Sequence, residues 1–221
     1  MSLFRRKANP ASGSPSLQDA LFGDRPLSDS IGDATGEPWV RFADAAARLA
    51  RSDNDGAERA LLSITTTPGL EPRHYLQAWH ALRTLGHAPP GEIAKQLLGV
   101  VLEVSLPNGL DVLAVYDDHT ARYLNAGGGA AIWEHPTTSL DPLIDQLLSA
   151  GREIVRRIGV WAGDRPGPPP KGHARITLLT PSGPHFGEGP LTALHGDPLA
   201  GPVIKTGMAI VGRLTQLTAA G

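Results

Sequence analysis

Four short runs decide the fold: VVLEVSL (100–106), GLDVLAVY (109–116), ARYLN (121–125) and AAIWEH (130–135). The breaks between them are Pro107-Asn108-Gly109, Asp117-Asp118-His119 and Ala126-Gly127-Gly128-Gly129. β-branched, alternating runs ended by Asn-Gly predict a hairpin. With Asn108-Gly109 as the turn, Leu102 faces Val115 and Val104 faces Leu113, an apolar face to bury. Glu103, Ser105, Ala114 and Tyr116 then form a half-wet second face. A one-residue slip would exchange the two faces, so the pattern fixes which side is buried. A two-residue turn at Asp118-His119 would put Arg122 on the core side; a longer or bulged turn returns it to the wet side. Arg122, Tyr116 and Glu134 are therefore candidate binding residues on an exposed sheet face.

Outward from this meander, 221 residues suffice for one large domain or two small ones. Without cysteine there is no disulfide framework, thiolate zinc site or thiol nucleophile. A net charge of −2 and a pI near 6.4 give no electrostatic case for nucleic acid or an anionic membrane. No apolar run approaches the roughly 20 residues of a spanning helix, and no apolar segment follows Arg5-Arg6-Lys7 to make a secretory signal. The expected location is the cytoplasm. Arginine outnumbers lysine sixteen to four and Ala, Gly and Pro abound, as in a GC-rich bacterial genome.

Residues 1–37 are poor in large apolar side chains and are expected to form a disordered tail. Within it Leu17, Leu21 and Phe22 would share one face of a short helix, a candidate motif for an unidentified protein partner. Residues 38–98 read as a helical subdomain. Pro38 suits the first turn of a helix from Trp39 to Arg51, Asp55 can cap a second, and Pro72 opens a third that buries Tyr75, Leu76, Trp79, Leu82 and Leu85. A short fourth follows Pro89-Pro90. An early Trp39, small Ala57 and Ala60, and Pro68 after the second helix loosely resemble a tetratricopeptide hairpin over one repeat's length. The pattern departs where Ala45, Ala46 and Leu49 stand.

Residues 99–221 read as an antiparallel α+β domain: about five strands with two helices on one face. Asp141-Pro142 starts a helix with Leu143, Ile144, Leu147, Leu148, Ile154, Val155 and Ile158 on its buried stripe. Gly151 falls on that stripe and predicts close approach to the sheet. A Pro/Gly linker over 162–172, a fifth strand over 174–179, a turn-rich loop or irregular hairpin over 181–190 and a last helix over 202–217 complete the reading.

Chemistry is sparse. The glycines at 127–129 sit between strands, where no helix N-terminus offers free N–H groups to a phosphate. Lys205-Thr206 lacks the glycine a P-loop places before its lysine, and Thr180-Pro181-Ser182-Gly183 lacks the leading glycine of a nucleophile elbow. Pairs such as Glu134/His135 and His195/Asp197 are scattered over loops and predict no metal site. His185 and Glu188 are kept as candidate binding residues, because glycines flank Glu188. No catalytic, metal or cofactor-binding residue is predicted. The expected function is a non-catalytic protein–protein interaction or adaptor module. The alternative is a small-molecule sensor or enzyme using the 181–190 loop and the exposed sheet face.

Overall fold

The computed structural model describes residues 18–28 and 35–219. Among them the architecture is α+β: seven helices and a six-stranded antiparallel sheet. The chain divides into a helical unit, ending at residue 96 and including 180–183, and a sheet unit over 97–179 and from 184 onward.

In the helical unit, α1 (Trp39–Leu49), α2 (Asn54–Thr65) and α3 (Pro72–Thr84) pack around Phe42, Ala45, Ala57, Leu61, Ile64, Ala78, Trp79 and Leu82. Asp53, rather than Asp55, caps α2, its Oδ1 accepting from Gly56 N at 2.9 Å. That satisfies one orphan donor of the helix start. The fourth helix is one turn, α4 (Gly91–Ala94).

Residues 18–28 do not behave as an open tail. Leu21 and Phe22 are 2% and 3% exposed, and Gln77 Nε2 of α3 donates to Arg25 O at 2.7 Å. Gly23 has φ +62°, and a Cβ there would lie 2.7 Å from Leu76 Cβ. The apolar pair of the expected partner motif is thus folded into this unit; Leu17 lies outside the described residues. Burial, not a partner, accounts for Leu21 and Phe22. Leu21→Ala and Phe22→Ala should each lower the stability of the helical unit by about 2–4 kcal/mol in urea unfolding. Unchanged stability would return the segment to solvent.

The sheet is built of β1 (Gly99–Leu106), β2 (Gly109–Tyr116), β3 (Ala121–Leu124), β4 (Ala130–Trp133), β5 (His173–Thr180) and β6 (Gly183–Pro190), in the order β4-β3-β2-β1-β5-β6. Leu106 pairs with Gly109 and Leu102 with Leu113, so the turn residues are Pro107-Asn108. Proline's fixed φ suits the first corner of a turn, which draws the loop one residue back. The pairing is displaced by two residues from expectation, and two is the side-chain period, so the faces are unchanged. At the next turn, Tyr116 N donates to Thr120 O and His119 has φ +63°. This longer turn places Arg122 beside Ala114, away from the Val115 side.

One face carries Val100, Leu102, Leu113, Val115, Trp133, Ile176 and Leu178 against α5 (Asp141–Val155) and α7 (Ala200–Ala219). A Cβ on Gly151 of α5 would meet Leu97 Cδ2 at 2.8 Å, and one on Gly207 of α7 would meet Leu102 Cδ2 at the same distance. Both helices cross the sheet where a side chain is missing.

The expected wet face is closed. Val101, Glu103, Val112, Ala114 and Tyr116 are each no more than 1% exposed. The sheet therefore buries both faces. Residues 181–190, expected as a turn-rich loop or irregular hairpin, form a hairpin with β5: the two-residue turn Pro181-Ser182 leads into strand β6, which is followed by the short α6 (Leu191–Gly196).

Candidate functional site

Arg122 is 8% exposed and its Nη2 reaches Glu134 Oε1 at 2.8 Å; the Glu134 side chain is largely in solvent. The cross-strand pair expected between β3 and β4 is formed, but the guanidinium is buried rather than displayed. Tyr116 is sealed in, its ring against the backbone of Gly99. His185 is also buried, with Nδ1 3.0 Å from Ile158 O. Of the five candidate side chains, Glu134 and Glu188 retain substantial exposure.

Glu188 belongs to a network that single-strand reading misses. Arg175 on β5 is 2% exposed and lies directly opposite Glu103 on β1. Its Nε and Nη2 donate to Glu188 Oε2 at 2.9 and 2.5 Å. Nη1 reaches Glu103 Oε2 at 3.4 Å and Pro166 O at 3.1 Å, and Nη2 reaches Gly167 O at 2.7 Å. A guanidinium has five N–H donors, and these contacts occupy all of them. Burial pushes the Glu103 carboxyl above its ordinary range, opposed by the Arg175 charge.

The Pro166 and Gly167 carbonyls belong to the strap between α5 and β5. Its prolines exclude helix and ladder pairing, so its backbone acceptors are open to side chains. The strap is fixed at both ends. Trp161 N donates to Pro184 O at 2.8 Å, and Gly172 N donates to Ser105 O at 2.8 Å. The Trp161 indole lies 4.9 Å from the Phe186 ring, tilted 59°, and its Nε1 donates to Asp164 O at 3.0 Å. Phe186 in turn lies under Arg175, with Cζ 5.6 Å from the ring centroid. Trp161 is nevertheless 45% exposed, and Val160 beside it is 42% exposed.

A second cluster sits at the other end of β2. His119 and His135 stack 5.3 Å apart, their Nε2 atoms 3.0 Å from Asp145 Oδ1 and 2.9 Å from Asp141 Oδ1 on α5. Among the described residues no three His, Cys, Asp or Glu side chains are arranged to hold a metal ion. The cluster ties two turns to the start of α5. Neighbouring Asp117 is pushed up to about 6, first by burial and then by Asp118. Its folded-state proton affinity exceeds the unfolded one, so its contribution to stability is fully present below about pH 4 and is lost as pH rises through about 6. Asp117→Asn should flatten this slope and stabilise the chain at pH 7 by on the order of 1–2 kcal/mol, a value reduced for partial exposure. Thermal melts from pH 4 to 8 that are parallel for both proteins would contradict this.

Comparison with known proteins returns no match: no family model, curated protein or solved structure is similar to this chain. The tetratricopeptide resemblance of α1 and α2 is therefore carried by no family match. No helix among the described residues is long and apolar enough to cross a membrane.

Proposed function

We propose that this protein is a non-catalytic, cytoplasmic protein–protein interaction module of a bacterial cell, and that its contact surface is the corner formed by Val160, Trp161 and Phe186. The observation that carries the reading is an indole 45% exposed yet held at three points: its own N–H, its backbone N–H and the Phe186 ring. A large aromatic side chain already fixed in place loses little entropy on binding, which is why such residues dominate interface energetics. The charged group beneath the corner does not favour catalysis. Arg175 gives every donor to protein acceptors, leaving none for a substrate anion. The small-molecule alternative uses the 181–190 loop and an open sheet face; Tyr116 and Arg122 on that face and His185 within 181–190 are buried, and Glu188 is bound to Arg175.

The test places a photo-crosslinking phenylalanine analogue at position 161 of the full chain in cells that make the protein. The same analogue at Leu62, an exposed apolar position of α2, is the control. Irradiation should give a discrete protein adduct from position 161 that position 62 does not give. No adduct, or the same adducts from both positions, would refute the proposal.

A further inference from the structure

The Arg175 ledge already holds a ligand, and that ligand is part of the chain. Residues 161–170 have neither helix nor strand, yet they are seated by a guanidinium on two consecutive carbonyls, an aromatic contact and a buried Pro169. This is how proteins recognise extended proline-rich segments: aromatic rings receive side chains, and donors take the carbonyls that such a backbone leaves unpaired. Resting on the interaction reading above, we infer that the ledge of Arg175, Phe186 and Glu188 is a receptor for an extended Pro/Gly-rich segment. Residues 160–170 occupy it in cis, and a partner's segment of the same chemistry takes their place.

Two features support a replaceable occupant. The contacts to Arg175 are made by the backbone at Pro166 and Gly167, so they demand an extended chain with free carbonyls and not one particular side chain. The ledge also keeps its binding chemistry when uncovered. With the strap removed, the Arg175 N–H groups that now hold the Pro166 and Gly167 carbonyls would face solvent, ready to take the carbonyls of an incoming chain. The exposed indole of Trp161 is the end of the strap that an incoming chain meets first.

The probe is a fluorescein-labelled peptide of residues 158–172, titrated by anisotropy into the full-length chain. The wild type should bind weakly, because the cis segment competes at a high effective concentration. Trp161→Ala removes the aromatic anchor of the cis segment and leaves the ledge intact. It should bind the peptide at least about tenfold more tightly than wild type. Adding Phe186→Ala should abolish that binding. Three results would each overturn the inference: no saturable binding by Trp161→Ala up to about 1 mM peptide, a concentration comparable to that of a tethered segment; equal binding after Phe186→Ala; or equal binding of a peptide in which Pro166, Gly167, Pro168, Pro169 and Pro170 are all replaced by alanine. If Trp161→Ala does not fold, the titration is read on 5-fluorotryptophan-labelled wild type. Displacement there should shift the Trp161 fluorine resonance, and an unmoved resonance would refute the inference. A position-161 adduct combined with no peptide binding would remove this assignment alone and leave the interaction reading in place.

Discussion

Val101→Asp should unfold the sheet unit as completely as Val100→Asp, although the two side chains point to opposite faces of β1. Val100 belongs to the core beneath α5 and α7, and Val101 is fully buried on the other side. A lone carboxylate in either place either pays desolvation or must be protonated, a loss of about 4 kcal/mol or more. Ser105→Asp, near the half-buried end of the same strand, should be mild. The comparison is made by urea unfolding followed by far-ultraviolet circular dichroism. A mild Val101→Asp would mean that one face of the sheet is open and would return Tyr116 and Arg122 to a surface.

Arg175→Ala should be the most damaging single truncation of a charged side chain. It leaves Glu103, whose side chain is 2% exposed, without the cation opposite it, and it frees the Pro166 and Gly167 carbonyls. Removing one partner of a buried ion pair costs about 3–5 kcal/mol, mostly because of the charge left behind. The defect should have a pH signature. Burial already raises the Glu103 proton affinity, and loss of the guanidinium raises it further. The variant should therefore be least impaired near pH 4 and lose stability as pH rises above the unfolded glutamate range. Glu103→Gln added to Arg175→Ala should flatten the profile. A pH-independent loss would show that the carbonyl contacts, not the charge pair, dominate.

The meander, its faces, the α5 stripe and the close approach at Gly151 were legible because they follow from local periodicity. The closed second face was legible in principle and misread. Val100-Val101-Leu102 in β1 and Val112-Leu113-Ala114-Val115 in β2 are near-continuous apolar runs, the pattern of strands buried on both sides. Glu103 and Ser105 mark a wet face only if they outweigh Val101 and Val112, which share that face. Arg175 stands between Ala174 and Ile176 and looks like an ordinary outward residue. Its opposite charge lies 72 positions earlier, and only the β1–β5 pairing brings them together. Strand β6 was hidden by Pro184, Gly187, Gly189 and Pro190, which predict loop by propensity. An outer strand tolerates proline, and the Pro184 carbonyl accepts from the strap. Leu21 and Phe22 are legible as an apolar pair, but local sequence pattern cannot reveal that the same chain buries them.

Trp161 is exposed and yet held in place by its indole N–H, its backbone N–H and the Phe186 ring. Fluorine NMR of the full chain labelled with 5-fluorotryptophan tests it most directly, with Trp161→Phe assigning the resonance among the four tryptophans. Trp79 and Trp133 are buried and provide the internal reference. Trp161 should show the largest solvent-isotope shift of the four and a line as broad as those two. A narrow Trp161 line near the free amino-acid shift, or a solvent-isotope shift no larger than that of Trp133, would contradict it.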